Sequence, residues 1–490
     1  MDSSTREIKH FINGQFVGSK SGKTFNNVNP INGQIIAKIH EGGSEEINHA
    51  VAAARAALAG EWDKLPLAQR LERLNKVAEG IHARFEEFVA AECSDTGKPY
   101  TLGRFLDVPK SIANLKVLPH VIKDTPVESL KTETPDGKGA LNYSIRAPKG
   151  VVALICPWNA PLLILSWKVG PALACGNTVV VKPSEETPTS ATLLGEVMNE
   201  AGIPQGVYNV VHGYGPLSAG AHLIEHPGID AITFTGQSKT GSAIMKSAAV
   251  ELHDISLELG GKNPAIVFSD CDMNKAIEGT MRSVFANCGQ VCLATERIYV
   301  ERPIFNEFVK RLKAGAESLK LGNPKEKETT MGPLISQAHR EKVHGYYQKA
   351  KELGANLITG GGIPNMPGEL ANGSWIEPTI WTGLPEDSPI VKEEIFGPCC
   401  HVQPFDTEEE VIGLANDTPY GLSCVIWTEN PERAKRVAAQ MDAGSIWVNS
   451  WSFPDLRTPF GGMKESGIGR EGGHHSLDFF TEVKNVCIKL

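Results

Sequence analysis

The amino-acid sequence predicts an α/β protein of several domains, and three observations carry that prediction. The chain has 490 residues, more than one compact core usually organises, and the length alone suggests about three domains. Short apolar runs at 151–155 and 178–181 have the pattern of strands buried on both faces of a parallel sheet. Helical patterns alternate with such runs along the chain, as in layered α/β folds.

Two helices are predicted before the first buried strand. Ser44 is placed as the N-cap of an alanine-rich helix that runs to about residue 59 and ends at Gly60. A second helical pattern covers residues 67–92. After the two buried strands, further strands are predicted at 208–211, 231–234 and 265–268. The last of these follows a glycine pair at 260–261 and opens a second α/β series that extends to about residue 460.

Two segments alternate apolar and polar residues as exposed strands do, at 141–146 and at 479–490. A strand that ends a chain with an apolar face favours pairing with another subunit. The sequence therefore predicts a small β arm that assembles the chain into a homodimer or homotetramer.

Composition and charge exclude several classes of protein. The net charge of −9 and the absence of a Lys/Arg block argue against a nucleic-acid partner. The charged N-terminus is not a secretory signal, and the most apolar region, 150–181, is broken by prolines and Lys168, so no membrane span is predicted. The 10 cysteines form no CxxC pair, which indicates a reducing cytoplasm rather than a disulfide framework. No histidine pair accompanies Cys288 and Cys292, so no metal site is expected.

A cysteine and a glutamate carry the strongest chemical signal. Cys292 lies in a small-residue turn after an apolar segment, 34 residues beyond Glu258, which leucines flank. A thiolate nucleophile and a carboxylate base are the groups needed to form a thioester and then hydrolyse it. Burial of Glu258 without a partner would raise its pKa, which suits a base that takes a proton from water. The alternatives are a structural cysteine at 292 and Cys288 as the nucleophile.

Asn159 is the candidate for stabilising an oxyanion. The segment 156–161 reads Cys-Pro-Trp-Asn-Ala-Pro, and its two prolines stiffen the turn around the amide. A neutral amide donor held in this way can stabilise a developing negative charge. The alternative is an asparagine that only bonds its own turn.

Residues that suit a dinucleotide follow three of the predicted strands. Lys182 can bond ribose hydroxyls, and Glu185 can accept from the 2′-hydroxyl and repel a 2′-phosphate, which favours NAD over NADP. The Phe-Thr-Gly segment at 234–236 leads into a helix whose N-terminus suits a pyrophosphate. The GxGxxG fingerprint is absent, because Ser218 occupies the third glycine position after Gly213 and Gly215.

In this order, these motifs resemble the signature segments of the aldehyde dehydrogenase superfamily. The resemblance implies a Rossmann-like NAD-binding domain (1–126 and 149–260), an α/β catalytic domain (261–461) and a β oligomerisation arm (127–148 and 462–490). It also implies that Cys292 attacks the aldehyde and that Asn159 and the backbone N–H of Cys292 hold the oxyanion of the thiohemiacetal. Hydride transfer to NAD would leave a thioester, which water activated by Glu258 would hydrolyse.

The same resemblance implies the cofactor residues. The Glu-x-Phe-Gly-Pro segment at 394–398 would place Glu394 on the nicotinamide ribose and Phe396 against the nicotinamide ring. The full set of residues implied for NAD binding is Ile155, Trp158, Lys182, Glu185, Gly215, Phe234, Gly236, Ser238, Leu259, Glu394 and Phe396.

The substrate rests on a finer resemblance. Segments at 8–14, 171–177, 285–292 and 469–473 are similar to those of the muconic-semialdehyde dehydrogenases, which act on ring-cleavage products that carry a carboxylate. A cation should pair with that carboxylate, and Arg457 is the first candidate and Lys110 the second. Trp167, Trp451 and Phe453 are expected to line the funnel.

Two questions stay open at this point. That group would have arginine at positions 110 and 454, where this chain has Lys110 and Pro454, so the 2-hydroxy, 4-hydroxy and 2-amino isomers remain alternatives. The alternative for Arg457 is a rim arginine tied to Asp455. A general aliphatic, aromatic or betaine-type aldehyde dehydrogenase and a non-enzymatic relative are the rival functions.

Overall fold

The computed structural model describes residues 6–122, 127–452 and 455–490. The strands in these ranges are β1 Arg6–Ile8, β2 His10–Ile12, β3 Gln15–Val17, β4 Thr24–Val28, β5 Ile35–His40, β6 Ser129–Thr132, β7 Ala140–Pro148, β8 Val151–Ile155, β9 Thr178–Lys182, β10 Tyr208–Val210, β11 Ala231–Thr235, β12 Asp254–Glu258, β13 Asn263–Val267, β14 Thr295–Glu301, β15 Asn356–Thr359, β16 Thr379–Thr382, β17 Cys399–Phe405, β18 Tyr420–Gly421, β19 Ser423–Trp427, β20 Ser445–Val448, β21 Met463–Lys464, β22 Gly467–Ile468 and β23 Thr481–Lys489.

The α-helices in the same ranges are α1 Ser44–Ala57, α2 Leu67–Ala83, α3 Phe85–Thr96, α4 Tyr100–Leu102, α5 Val108–Lys116, α6 Leu118–Ile122, α7 Pro161–Ala174, α8 Thr189–Glu200, α9 Ala219–Ile224, α10 Ser238–Glu251, α11 Met273–Phe285, α12 Phe305–Glu317, α13 Gln337–Glu352, α14 Pro389–Lys392, α15 Glu408–Asn416, α16 Pro431–Ala438 and α17 Gly473–Phe480. Short π-helical turns occur at Leu58–Trp62 and Gly103–Asp107, and 3₁₀ turns at Ala286–Gly289, Arg302–Ile304 and Gly368–Asn372.

The first large sheet has eight strands in the order β22-β12-β11-β8-β9-β10-β2-β3. Its five central strands, from β12 to β10, run parallel, and antiparallel strands close both edges. The predicted buried strands are confirmed, because every residue of β8 and β9 is buried. Such continuous burial is typical of a parallel sheet that helices cover on both faces.

The order of these strands creates a switch point between β8 and β11. From β8 the chain adds β9 and β10 on one side, whereas β11 and β12 lie on the other. Helices that follow neighbouring strands on the two sides of such a point diverge and leave a crevice at the carboxyl ends. The register places Ile155 beside Lys182 on one side and Phe234 on the other. The first sheet therefore presents the predicted cofactor residues along one edge.

The second large sheet has seven strands in the order β15-β16-β17-β14-β13-β19-β20, all parallel except β15. The chain passes from the first sheet to the second between Glu258, the last residue of β12, and Asn263, the first residue of β13. The short connection is tied to the C-terminal segment, because Ser466 Oγ donates to the Gly260 carbonyl at 2.6 Å. Glu258 thus lies at the junction of the two sheets.

Two three-stranded sheets and the antiparallel pair of β18 and β21 complete the architecture. The strands β1, β5 and β4 form one of them near the N-terminus. The antiparallel strands β23, β7 and β6 form the other, with continuous pairing from Thr481 opposite Pro148 to Lys489 opposite Ala140. The two predicted exposed strands therefore pair with each other, and β23 lies at the edge of their sheet.

Three element boundaries differ from the prediction. Gly43 is the N-cap of α1 and Ser44 its first residue, since the Glu46 carboxylate accepts the Gly43 N–H at 2.8 Å and replaces a serine cap. The helix predicted over 67–92 is two helices, because the backbone of Arg84 (φ −103°, ψ 27°) interrupts it. The final strand begins at Thr481, and residues 479–480 end α17. Within the described ranges, no helix is both long and apolar enough to cross a bilayer.

Candidate active site

Two cavities meet where the two large sheets join. The larger has a volume of about 190 Å³ and is lined mostly by apolar side chains; the smaller has about 60 Å³. Both are lined by Asn159, Thr235, Leu259 and Cys292. The larger one also reaches Glu258, so the structure brings the three predicted catalytic residues to one cavity.

A sharp turn after α11 carries Cys292 to the cavity wall. Asn287 and Cys288 adopt left-handed backbone conformations (φ 51° and 56°), which non-glycine residues rarely do. The side-chain amide of Asn263 then donates to the Cys292 carbonyl at 2.7 Å and anchors the residue to β13. Burial, and to a lesser degree the Glu258 and Glu394 carboxylates, raise the pKa of the Cys292 thiol to about 12. The thiol is therefore protonated at neutral pH and needs an acceptor for its proton.

The Asn159 side chain is fixed at both its amide and its own peptide group. Its Nδ2 donates to the Gln290 carbonyl at 3.0 Å. Its backbone carbonyl accepts from Lys98 Nζ at 3.1 Å and from Asn287 Nδ2 at 3.0 Å. The turn that contains Asn159 is therefore bonded directly to the loop that carries Cys292.

Glu258 is a buried carboxyl group, 3% exposed, at the end of β12. Neither of its oxygens has a hydrogen-bond partner among the described residues. Burial and the neighbouring Glu471 carboxylate raise its pKa well above the ordinary value, against the opposing effect of Lys168 and Arg470. Glu471 itself is bonded to the buried ammonium of Lys168 and to the Thr233 hydroxyl. Glu258 is thus a proton acceptor with free lone pairs.

The carboxyl edge of the first sheet offers groups suited to a ribose. Lys182 is buried at the end of β9, where its Nζ donates to the Pro183 carbonyl at 2.9 Å and lies 3.6 Å from Glu185 Oε2. Burial lowers the pKa of Lys182. Glu185 is only partly buried. A lysine at the end of β9 and a carboxylate three residues later in the same loop match the donor and acceptor needs of vicinal hydroxyls.

Two glycines hold the backbone close to the smaller cavity. A Cβ at Gly236 would lie 2.3 Å from the Phe234 ring, and a Cβ at Gly260 would lie 2.4 Å from Glu394 Oε2. Glu394 Oε1 meanwhile accepts the Gly261 N–H at 2.8 Å. The absence of side chains at these positions leaves a cradle beside a carboxylate, which fits the ribose and ring of a nicotinamide nucleotide.

Aromatic side chains border the smaller cavity. The rings of Trp158 and Phe396 meet edge to face with centroids 5.4 Å apart. Phe396 has a left-handed backbone (φ 63°), and its N–H donates to Glu296 Oε1 at 2.9 Å. Glu296 is buried and paired with the buried ammonium of Lys262. An ion pair in the protein interior therefore holds the loop that carries Glu394 and Phe396.

The remaining predicted cofactor residues lie at, or follow, the carboxyl ends of strands of the first sheet. Leu259 lines both cavities, and Ile155, the last residue of β8, pairs with Phe234, the last residue but one of β11, across the switch point. Gly215 lies in the loop between β10 and α9. Ser238 is the first residue of α10, and its hydroxyl donates to the Glu465 carbonyl at 2.9 Å.

The predicted substrate residues divide into three groups. Trp167, Trp451 and Lys110 line the larger cavity. Phe453, like Pro454, lies outside the described residues. Arg457 is not brought to the cavity: its guanidinium bonds the Asp455 carboxylate, with Nη2 to Oδ2 at 2.6 Å, and its side chain is 61% exposed. Arg457 is absent from the described lining of the cavity, and its pairing with Asp455 matches the alternative of a rim arginine; a role for Arg457 in substrate binding stays a prediction.

Two cationic residues at the cavity were not expected from the sequence. Arg282, in the last turn of α11, lines the larger cavity, as does the buried Lys98. Arg282 is ten positions before Cys292 on the helix that leads into the turn, which was the available signal. Lys98 follows Thr96 and Gly97 at the end of α3, where nothing in the local pattern indicates burial.

The chain is similar to known aldehyde dehydrogenases in both sequence and fold. The profile of the aldehyde dehydrogenase family matches residues 16–486. The chain is 64% identical over 485 residues to a 2-hydroxymuconic semialdehyde dehydrogenase of Pseudomonas sp. (strain CF600), covering 99% of this chain and 100% of that protein. It is 52% identical to a 2-aminomuconic 6-semialdehyde dehydrogenase of Pseudomonas sp., covering 99% and 98%. Among solved structures, an NAD+ complex of aldehyde dehydrogenase from Bacillus cereus superposes with a TM-score of 0.94 at 40% identity, covering 99% of this chain and 97% of that one.

Proposed function

The chain belongs to the aldehyde dehydrogenase family, an oxidoreductase family acting on aldehydes, and from this premise we propose that its substrate is a muconic-semialdehyde-type ring-cleavage product. The product would be the dicarboxylate, and NAD the hydride acceptor. The 2-hydroxy, 4-hydroxy and 2-amino semialdehydes are the candidates, and relatives named for the 2-hydroxy and 2-amino compounds support two of them. The observation that carries the proposal is one apolar cavity with Cys292 on its wall and with Lys110 and Arg282 on the same lining, in addition to Lys98, which is paired with Asp107.

In the proposed reaction, the Cys292 thiol gives its proton to Glu258, and Sγ attacks the aldehyde carbon to form a thiohemiacetal oxyanion; Glu258 passes that proton to solvent before the hydrolysis step. The Asn159 amide and the Cys292 backbone N–H stabilise the oxyanion. NAD, when bound, supplies the hydride acceptor. Glu258 then takes a proton from a water molecule, which attacks the thioester and releases the acid. The raised pKa of Glu258 and its free oxygens support this role as a base.

The residues present fit a dinucleotide without a 2′-phosphate. Lys182 and Glu185 would bond the adenosine ribose, and the Glu185 carboxylate would repel a phosphate at its 2′ position. Glu394 would bond the nicotinamide ribose, with Trp158 and Phe396 beside it. Gly215, Gly236 and Ser238 would lie near the pyrophosphate, at the start of helices and loops that follow parallel strands.

The carboxylate of the substrate would pair with Lys110 and Arg282. Lys110 belongs to α5 and Arg282 to α11, and both side chains lie on the lining of the cavity that contains Cys292. A cation on an otherwise apolar wall stabilises a bound carboxylate, because charged hydrogen bonds are stronger where water is excluded. Trp167 and Trp451 would form apolar walls for the conjugated chain of the substrate.

The proposal is tested by NADH formation with freshly generated 2-hydroxymuconic, 4-hydroxymuconic and 2-aminomuconic semialdehydes against hexanal, benzaldehyde and betaine aldehyde. We expect kcat/KM to favour the semialdehydes. Arg282→Met and Lys110→Met should each lower it for them by about 10- to 100-fold, the effect of losing one charged hydrogen bond, and leave hexanal unchanged. Arg457→Met is the matched control, because Asp455 engages that guanidinium.

The outcomes separate the alternatives. Preference for hexanal or benzaldehyde by the unmodified protein would contradict the semialdehyde assignment and favour a general aldehyde dehydrogenase. A loss of kcat/KM for the semialdehydes in Arg457→Met alone would indicate that Arg457, and not Lys110 or Arg282, binds the substrate carboxylate. Failure to bind NAD at all would favour a non-enzymatic relative.

Assembly into a homodimer or homotetramer is proposed through the arm sheet. Its strands expose large apolar side chains, namely Leu130, Leu141, Ile145, Val483 and Ile488. Such an edge favours pairing with an equivalent strand. Light scattering after size exclusion should give a mass of two or four chains, and Val483→Lys together with Ile488→Lys should lower it; a monomer in the unmodified protein would contradict the assembly.

A further inference from the structure

We infer that Lys98 is a positioning residue for aldehyde oxidation: its buried ammonium group holds the peptide of Asn159 so that the Asn159 amide faces the reacting oxygen. The inference rests on the proposed role of Asn159 as the oxyanion donor. It concerns a residue that touches neither the reacting atoms nor the predicted cofactor groups and that acts through Asn159.

The ammonium group of Lys98 contacts two carboxylates and one backbone carbonyl. Its side chain is buried, and Nζ donates to Asp107 Oδ2 at 2.5 Å and to the Asn159 carbonyl at 3.1 Å, with Glu92 Oε2 3.6 Å away. Within the part of the chain that the structure describes, the one backbone group that the ammonium bonds is therefore the carbonyl of the predicted oxyanion residue.

The ammonium keeps its charge in this environment. Burial lowers the pKa of Lys98, but the carboxylates of Asp107 and Glu92 outweigh it, so its pKa lies above the ordinary value. A charged donor forms a shorter and stronger hydrogen bond to a carbonyl than a neutral one does. Lys98 thus restrains the Asn159 peptide more tightly than a neutral side chain would.

The same cluster holds the other end of the turn. Glu92 Oε1 accepts the Leu162 N–H at 3.0 Å and the Ser190 hydroxyl at 2.5 Å. Leu162 is the second residue of α7, directly after the turn that contains Asn159. Lys98 Nζ and Glu92 Oε2 are 3.6 Å apart, so one ion pair bonds the backbone of residues 159 and 162.

A fixed peptide matters because oxyanion stabilisation depends on geometry. Donors must lie within about 0.5 Å of the productive position to contribute fully. The Asn159 carbonyl keeps one other donor, Asn287 Nδ2, but Asn287 belongs to the loop that carries Cys292. Lys98 is the donor that ties Asn159 to the first domain independently of the nucleophile loop.

The test is a double-mutant cycle between Lys98 and Asn159. Because Lys98→Met alone leaves two buried carboxylates without a cation, the paired variant Lys98→Met/Asp107→Asn is made as well. Each is combined with Asn159→Ala. Single-turnover NADH formation is measured with a muconic semialdehyde and with hexanal, and NAD binding and the melting temperature are measured in parallel. Ser190→Ala, which loses a bond to Glu92 but no contact with Asn159, is the control.

We expect the paired variant to fold, to bind NAD normally and to form NADH about 10- to 100-fold more slowly with both aldehydes, less than the full loss of an oxyanion donor. In the Asn159→Ala background the same change should cost less than about twofold, because its effect passes through Asn159. Ser190→Ala should keep the normal rate.

Three results would overturn the inference. Losses that multiply in the Asn159→Ala background would show an effect outside Asn159. A loss restricted to the semialdehyde would show that Lys98 binds the substrate carboxylate directly. An unchanged rate in the paired variant would show no effect on the reaction. By contrast, a full rate in Asn159→Ala itself would contradict the proposed role of Asn159, which separates that failure from the others.

Discussion

Asn159 Nδ2 donates a hydrogen bond to the backbone carbonyl of Gln290, two residues before Cys292, at 3.0 Å. A primary amide nitrogen has two N–H groups, so this bond sets the plane of the amide and leaves the second N–H for another acceptor. Since Asn159 and Cys292 line the same cavity, the remaining donor can face an oxygen that develops on the carbon attacked by Cys292. The nucleophile loop therefore orients the group that would stabilise its product.

Asn159→Ala should lower kcat/KM for aldehyde oxidation by about 10²- to 10³-fold, the usual effect of removing one oxyanion donor. Stopped-flow NADH formation measures the loss, and an NAD titration measured in parallel should show a much smaller change, because the proposed contact of the amide is with the reacting oxygen. A variant with an unchanged rate would show that the asparagine serves only its own turn.

Cys292→Ala should abolish NADH formation, whereas Cys288→Ala should retain most of it. Cys288 is 2% exposed and packs in the apolar cluster around Leu334, Tyr347 and Ile395, away from the lining of the larger cavity. Its replacement should instead cost stability, about 1–2 kcal/mol for a small core cavity. Mass spectrometry after treatment with a thiol-alkylating aldehyde analogue gives an independent readout. Loss of activity in Cys288→Ala with intact Cys292 would reverse the assignment.

Glu471→Gln should shift the acid limb of kcat to lower pH. A base works in its ionised form, so activity is lost as pH falls through the raised pKa of Glu258. Burial is the largest cause of that raised pKa and the Glu471 carboxylate the next, so removing the Glu471 charge lowers the pKa of Glu258. Glu258→Gln should show a burst of NADH followed by slow turnover. An acid limb that moves to higher pH in Glu471→Gln would contradict the coupling.

Lys262→Met should destabilise the protein by about 3–5 kcal/mol, because it leaves the Glu296 carboxylate buried without its cation. The Glu296 oxygens also hold the N–H groups of Ile395 and Phe396, so NAD affinity should fall with stability. Lys435→Met is the control, since its pair with Glu432 is exposed and should contribute less than about 1 kcal/mol. Urea unfolding and NAD titration measure both effects; equal stability losses in the two variants would contradict the prediction.

His10 should make the fold sensitive to acid. Burial lowers its pKa to about 4, while an unfolded chain binds the proton near 6.5, so stability falls as pH drops below about 6.5 and the loss is complete below about 4. The contribution is about 3 kcal/mol for a shift of this size. His10→Gln should therefore flatten the dependence of unfolding free energy on pH, and the exposed His49→Gln should not. A steeper dependence in His10→Gln would rule this origin out.

The sequence was sufficient to predict the elements and residues whose local pattern directly reflects their chemical environment. The continuous apolar runs predicted β8 and β9 correctly, because strands buried on both faces tolerate few polar residues. The signature motifs placed Cys292, Glu258 and Asn159 correctly on one cavity, although the roles of these residues remain predictions. Motif resemblance succeeded because each motif combines a reactive residue with the turn that positions it.

The cationic residues that line the larger cavity could not all be predicted from the sequence. Arg457 and Arg282 are both arginines near a motif. Arg457 bonds Asp455 and is absent from the described lining of the larger cavity, whereas the orientation of α11 places Arg282 on that lining. Which face of a helix meets a cavity depends on packing between domains, and local sequence does not encode it. The predicted N-cap of α1 was wrong by one residue: Gly43 is the N-cap, and its N–H is bonded by the Glu46 carboxylate, a contact that the serine at position 44 does not indicate.

The two cavities share four lining residues, Asn159, Thr235, Leu259 and Cys292, and otherwise draw on different parts of the chain. The residues that line the smaller cavity can therefore be kept during evolution while residues that line only the larger cavity are substituted. Substitutions on α5, α7 and α11 can retune which aldehyde is accepted while affinity for the dinucleotide is preserved. A lineage with this arrangement can acquire new carbon sources by altering a few side chains and keep its catalytic apparatus unaltered.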